Sequence, residues 1–384
     1  MTEEARRTPL YNEHVGAGAR MVDFAGWSLP VQYQSILAEH QAVRGAAGLF
    51  DASHMGEIEI TGPRAQELCA TLFTNDARVL AVGKAQYSMI PNETGGIVDD
   101  IIVYRLGDER FFVCVNASNA ARDLAWIRAR ASGGVTIEDL GEQTALIAIQ
   151  GPRAATILDS LSPGVTALAR FACEEREVGP LAAMVARTGY TGEDGFELFC
   201  AADDATTMWR LLLAAAPQVG ETLACCGLGA RDTLRVEAAL PLYGHELGGD
   251  ISPYEVRTGW AVKTNRPQMV GYDALRRSSG AGSARRLIGL LVDGGIAREG
   301  ATVYEPGSEA VAGVVTSGTH SPTLGRAVAM ALVGRQVAER AGPAAALEVE
   351  IRGKRRAAVV TSLPFYVKRP GSREPASGET GSSK

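Results

Sequence analysis

The sequence predicts an α+β protein in which two related units, each an antiparallel sheet with helices on one face, precede a carboxy-terminal β-barrel-like domain. Three observations carry this. "IEITGPRAQELCATL" (58–72) and "IAIQGPRAATILDSL" (147–161) share the placement of their apolar residues and the tetrapeptide "GPRA". Similar elements follow each copy in the same order. From about residue 284 the chain turns into short β-rich runs spaced by Gly and Pro. The boundaries drawn are 1–283 for the two units, 284–368 for the barrel-like domain and 369–384 for a tail. That tail, "RPGSREPASGETGSSK", has almost nothing to bury and is expected to be disordered.

Each copy of the echo reads as a strand, a glycine turn and a helix, with Pro63 or Pro152 at the first helical position, where the missing N–H costs nothing. After the first copy come strand-like 84–90, 97–105 and 110–115, then the helical "SNAARDLAWIRARA". After the second come strand-like 170–187 and 195–201, then the helical "ATTMWRLLLAAA". The period is too long for a solenoid. In the last domain "RRLIGLLVDG", "ATVYEP", "EAVAGVVTSG", "RAVAMALV", "ALEVEIRG" and "RRAAVVTSL" are the strand candidates.

Composition narrows the function classes. The chain is 46% hydrophobic and 21% charged, ordinary for a soluble globular protein. No apolar run approaches the roughly 18 residues of a membrane span, and "MTEEARRTPLYNEH" resembles neither a signal nor a transit peptide. A cytoplasmic location is the expectation. A net charge of −6 argues against nucleic acid as a partner. Basic clusters at 276–286 and 352–356 are solvated surface or sites for an acidic partner. The six cysteines form no C-x-x-C and mostly sit in apolar segments, so they read as buried free thiols. No HExxH or paired-Cys spacing supports a metal site.

"GGIVDDIIVYR" (95–105) sets two adjacent carboxylates into a strand-like run. Alternation puts Asp99 on one face with Ile101 and Val103, and Asp100 on the other with Ile102 and Tyr104. Pointing apart, the two do not form a proton-sharing dyad. On pattern alone, Asp99 finishes the preceding turn and Asp100 either accepts hydrogen bonds at a strand edge or serves a site. In "RTGYTGEDGFELF" (187–199) Phe196 and Leu198 share one strand face and Glu197 and Phe199 the other. Glu197 faces either solvent or a cavity between units, where a carboxylate could accept two parallel N–H donors. "GAGAR" (16–20) and "GLGARD" (227–232) lack the context of a dinucleotide loop and are rejected as such. The second sets Arg231 at the start of a helix, as a surface ion pair or as an anion or ring contact in a pocket. His54, His245 and His320 have no catalytic spacing and read as hydrogen-bonded structural residues.

Taken together, "TPLYNEHVGAGARMVDFAGWSLPVQY", "GLFDASHMGEIEITGP", "NETGGIVDDIIVYR", "RTGYTGEDGFEL", "GLGARDTLRVEA" and "SGTHSPTLGRAVAMALV" resemble the aminomethyltransferases, or T-proteins, of the glycine cleavage system. The resemblance runs from about residue 8 to 367. It implies three domains around a central hole for tetrahydrofolate as co-substrate, with no metal. It also implies transfer of the one-carbon unit of S-aminomethyl-dihydrolipoyl H-protein to tetrahydrofolate, with release of ammonia and formation of 5,10-methylenetetrahydrofolate. Position by position, Asp100 matches the family's essential aspartate and Glu197 the residue that holds the pterin edge. Arg231, Tyr190, Met55, Tyr87 and Asn116 match folate-site positions, and Tyr366 in "LPFYVKR" matches a tyrosine near that site. H-protein is the implied partner, with the two basic clusters as docking candidates. The rivals are a folate-dependent demethylase with a small methyl donor and a non-catalytic folate-binding relative.

Overall fold

The chain enters through a small sheet that no motif announces. In the computed structural model, which describes residues 5–368, β1 (Arg6–Arg7), α1 (Tyr11–Gly16), β2 (Arg20–Phe24) and β3 (Trp27–Gln32) come first, with strand order β1-β3-β2. α2 (Ile36–Gly45) follows, its first turn capped by the Ser35 hydroxyl, which accepts from the Ala38 N–H. β4 (Gly48–Asp51) then leads into the repeated region.

The echo is a structural repeat. The first unit runs β5 (Gly56–Thr61), α3 (Ala65–Leu72), β6 (Lys84–Pro91), β7 (Ile97–Gly107), β8 (Arg110–Val115) and α4 (Ala120–Arg130). After β9 (Thr136–Asp139) the second runs β10 (Thr144–Gln150), α5 (Ala154–Asp159), β11 (Cys173–Val178), β12 (Leu181–Ala186), β13 (Gly195–Ala201) and α6 (Ala205–Gln218). β14 (Ala224–Cys225), α7 (Leu228–Glu237) and α8 (Tyr272–Ala281) complete this region. The two sheets read β6-β7-β8-β5-β9 and β11-β12-β13-β10-β4-β14, the same order through their first four strands. The first is wholly antiparallel, whereas the second is not, because β14 pairs β4 in parallel.

Two local expectations need correction. The helices begin at Ala65 and Ala154, so Pro63 and Pro152 lie in the preceding turns and not at the first helical position. Those turns are made by Gly62 and Gly151, at φ 114° and 130°, a region that disfavours a side chain. The run 170–187 is not one strand but the hairpin of β11 and β12, folded at Gly179.

Side-chain alternation sorts the sheets into layers. Ile101 and Val103 of β7 pack with Leu68, Leu72 and Ile127 of the helices of the first unit, as Phe196 and Leu198 of β13 pack with Met208, Trp209 and Leu212 of α6. The opposite sheet faces meet each other through Tyr104, Phe112, Cys114, Leu146, Met184 and Phe199. Helices therefore cover the outside and two sheet faces enclose the middle. All six cysteines are free, and all but Cys225 are buried.

The six carboxy-terminal runs become β15 (Arg285–Val292), β16 (Thr302–Tyr304), β17 (Val311–Ser321), β18 (Arg326–Gly334), β19 (Ala346–Ile351) and β20 (Lys354–Thr361). They close as β15-β18-β17-β16-β19-β20, with α9 (Arg335–Arg340) between β18 and β19. The barrel is filled by Leu290, Val303, Val315, Ala329, Val349 and Ala358. An apolar junction of Met89, Ile97, Leu247, Met269, Leu287 and Met330 joins it to the first unit. α7 ties it by charge: Arg235 bonds Glu246 and Ser317, and Glu237 accepts from Ser321 and Thr323. Among the described residues no helix is long and apolar enough to cross a membrane. The tail at 369–384 lies outside the described residues.

Candidate active site

β7 delivers its two aspartates to opposite faces, as the alternation requires. Asp99 enters the side of Ile101 and Val103, and Asp100 pairs in register with Met89 on the face of Tyr87 and Tyr104. The Tyr87 hydroxyl donates to Asp100 Oδ2 at 3.2 Å, and Asn116 Nδ2 donates to Oδ1 at 2.8 Å. Burial, and then the Asp99 charge, push the Asp100 carboxyl up to about 7, against the pull of those two donors.

Asp99 does not finish the turn. It lies inside β7, fully buried, and accepts from the Asn116 N–H at 2.9 Å, from Asn116 Nδ2 at 2.9 Å and from Asn119 Nδ2 at 2.6 Å. Pointing apart therefore does not isolate the two carboxylates, because one Asn116 amide bridges them. Asn116 itself sits just after β8, where that strand gives way to the turn into α4.

Glu197 faces the space between the sheets. The Thr188 hydroxyl donates to its Oε2, and the Tyr104 hydroxyl lies 3.5 Å from the same atom. Burial raises its proton affinity, while Thr188 and the Arg231 charge lower it. Arg231 makes no ion pair among the described residues, and its guanidinium lies 4.9 Å from the Tyr190 ring centre. The "GLG" before it is a packing device. A Cβ on Gly227 would lie 2.5 Å from the Val31 carbonyl carbon, and one on Gly229 2.5 Å from Ile36 Cγ1. α7 can thus approach β3 and α2 closely enough to bring Arg231 inward. The Tyr190 hydroxyl donates to the Pro241 carbonyl, and the Asp100 and Arg231 charges both act on its ring. Met55 packs beside Tyr104 and Phe112.

Asp100, Tyr87, Asn116, Glu197, Arg231, Tyr190 and Met55 thus line one region between the sheets and the barrel junction. Among the described residues no hydrogen bond or ring contact joins Tyr366 to them. Its ring stacks on Arg44 at 3.9 Å, beside Glu193, and its N–H bonds the Glu237 carbonyl.

Several neighbours escaped the sequence reading. Trp260 is 61% exposed and lies 5.7 Å from the Tyr87 ring, at the outer side of that residue. Thr188 and Tyr104 orient Glu197, and Asn119 anchors Asp99. His54 is buried, yet its Nδ1 has no partner among the described residues, so it is not the hydrogen-bonded residue expected. Burial and the Arg231 charge push it down to about 3. The His320 ring is exposed and makes no hydrogen bond among the described residues, whereas the His245 ring meets the Thr316 carbonyl at 2.9 Å. In the basic clusters Arg285 is bound to Glu255 and Arg355 to Glu309 and the Tyr304 ring, leaving Arg276, Arg277, Arg286, Arg352, Lys354 and Arg356 exposed. No group of three or more His, Cys, Asp or Glu side chains among the described residues is placed to hold a metal ion.

Comparison with known proteins agrees with this arrangement along nearly the whole chain. Residues 10–266 match the GCVT N-terminal domain, and 285–366 match the glycine cleavage T-protein C-terminal barrel domain. Aminomethyltransferases of Moorella thermoacetica and Shouchella clausii are 48% and 47% identical over 366 and 370 residues. The alignments cover 94% and 95% of this chain and 98% and 99% of those proteins. A crystal structure of glycine cleavage system aminomethyltransferase T from Bartonella henselae is 36% identical with a TM-score of 0.87, covering 95% of this chain and 99% of that one. With both domains matched and the repeat and barrel in place, the chain belongs to the aminomethyltransferase, or glycine cleavage T-protein, family.

Proposed function

We propose that the protein transfers the one-carbon unit of S-aminomethyl-dihydrolipoyl H-protein to tetrahydrofolate. The observation that carries the reading is Asp100, a carboxyl raised to about 7, held by Tyr87 and Asn116 in a region lined by Arg231, Tyr190 and Glu197. The chemistry needs such a group. Two folate N–H bonds are replaced by bonds to the CH2 carbon, while the C–S and C–N bonds break. The two protons leave with the lipoyl thiol and with ammonia. A group poised near neutrality accepts a proton from the attacking nitrogen and returns it to the departing amine. As a carboxylate it also offsets the positive charge that develops on the carbon. Water must be kept out, because a free iminium hydrolyses. The lipoyl arm, entering from the side of Trp260, would close the site.

Glu197 supports the folate half of the reading. Its Oε2 takes the Thr188 hydroxyl, and a carboxylate has acceptor capacity left for the paired N–H donors of a pterin amino-pyrimidinone edge. Glu197→Gln turns one acceptor into a donor facing a donor. Tetrahydrofolate affinity should then fall by roughly 5- to 150-fold, the equivalent of about 1–3 kcal/mol. Titration calorimetry reads this directly, and unchanged affinity would remove Glu197 from the folate site.

A further inference from the structure

Behind Asp100 lies a carboxyl that the proposed reaction does not use. Asp123, in the first turn of α4, is fully buried, and neither of its oxygens has a hydrogen-bond partner among the described residues. The nearest cation, Arg122 of the same helix, holds its Nε 3.7 Å from Oδ1, beyond hydrogen-bonding range, and gives an N–H to the Val98 carbonyl. From β7 the titratable group acting on it is Asp99, whose own lone pairs take three N–H donors, the set that suits a carboxylate. Asp99 in turn reaches Asp100 through the shared Asn116 amide. Asp123, Asp99 and Asp100 therefore form a file running from the core to the site. A carboxylate sealed in the core without a hydrogen-bond donor, and with only the half-exposed Arg122 at 3.7 Å as counter-ion, costs several kcal/mol, so the end of the file most remote from the site favours the neutral form.

We propose that Asp123 is a positioning residue of the transfer reaction, holding a proton at neutral pH and directing it towards Asp99, so that one fixed negative charge and not two stands behind Asp100. This deepens the one-carbon-transfer reading and rests on it for the task of Asp100. Burial and the Asp99 carboxylate push Asp123 up to about 10, with Arg122 pulling the other way, which agrees with a retained proton. The groups facing Asp100 itself are Asp99, Tyr87 from β6, Asn116, and Tyr190 from the loop between β12 and β13. A proton on Asp123 screens Asp99 and so limits how far Asp99 can raise Asp100. With the proton donor gone, the Asp100 midpoint should rise.

The test is infrared spectroscopy of the carboxyl stretching region across the neutral pH range, on the full-length native protein, Asp123→Asn and Asp123→Leu. Beside the band of Glu57, whose carboxyl is also buried, unpartnered among the described residues and raised, a second protonated-carboxyl band should persist through neutral pH in the native protein and be missing from Asp123→Asn. The Asp100 midpoint should stay in place in Asp123→Asn, which remains neutral and keeps a donor. In Asp123→Leu it should rise by about one pH unit. A native spectrum without that band overturns the proposal, as does a fall of the Asp100 midpoint in Asp123→Asn, the signature of removing a negative charge. An unmoved midpoint in folded Asp123→Leu leaves Asp123 a packing residue only. If the leucine variant does not fold, the native and asparagine spectra still decide. No substrate is needed, so these outcomes stand apart from any failure of H-protein turnover.

Discussion

Asp100→Asn lowers the rate of methylenetetrahydrofolate formation by about 10²–10³-fold and leaves tetrahydrofolate affinity nearly unchanged. Asparagine keeps an acceptor for the Tyr87 hydroxyl but can neither ionise nor carry a proton. Its NH2 would also confront Asn116 Nδ2, which now donates to Asp100 Oδ1 at 2.8 Å, so Asn116 must turn back wholly to Asp99. The native rate should also depend on pH with a midpoint near 7, falling as the carboxylate takes up its proton on the acid side. Stability runs in the opposite sense. The folded protein holds a proton on Asp100 that the unfolded chain, with its ordinary value of 3.8, releases. The contribution of this group to stability is therefore fully present below about 4 and is lost as pH rises towards about 7. In Asp100→Asn both dependences should vanish. A stopped assay for the folate product across pH, with native and variant side by side, reads the rate. A variant as active as the native protein would remove Asp100 from the chemistry.

Asp99→Leu unfolds the site from behind. The half-buried Asn116 N–H and the buried Asn119 amide would lose their acceptor at the edge of the core, and the bridge that steadies Asp100 would lose one abutment. Two stranded donors at about 1–3 kcal/mol each, with the lost charge-assisted bonds, put the expected loss at roughly 3–5 kcal/mol. For a chain whose whole stability is about 5–15 kcal/mol, that is a lowered Tm and poor recovery of folded protein. Asp99→Asn keeps one acceptor oxygen and should cost less, about 1–3 kcal/mol. Thermal unfolding of the two variants checks the order. A leucine variant as stable as the native protein would contradict the hydrogen-bond account of Asp99.

What could be read from the sequence followed from short-range regularity. Alternation alone assigned Asp99 and Asp100 to opposite faces, and set Glu197 opposite Phe196 and Leu198, because side-chain direction in a strand depends only on neighbours. The "GPRA" echo disclosed a repeat that the matching strand orders of the two sheets bear out. Six Gly- and Pro-spaced runs became six barrel strands. What escaped depends on contacts between distant segments. Asp99 looked like a turn residue because its three donors come from beyond β8, in Asn116 and Asn119. The "GLG" of α7 resembled failed nucleotide-loop chemistry until the approach of Val31 and Ile36 explained it. Trp260 carries no motif, and only the folded chain brings it to Tyr87. Tyr366 was grouped with the folate positions by resemblance, and its stacking on Arg44 is a contact that no local pattern encodes.

The most direct measurement is turnover of the native protein with aminomethylated H-protein and tetrahydrofolate, following both ammonia and methylenetetrahydrofolate. The account predicts equal amounts of the two products and strict dependence on both substrates. A protein that binds tetrahydrofolate but ignores H-protein, and instead takes methyl groups from a small donor, would contradict it and assign Asp100 to demethylation.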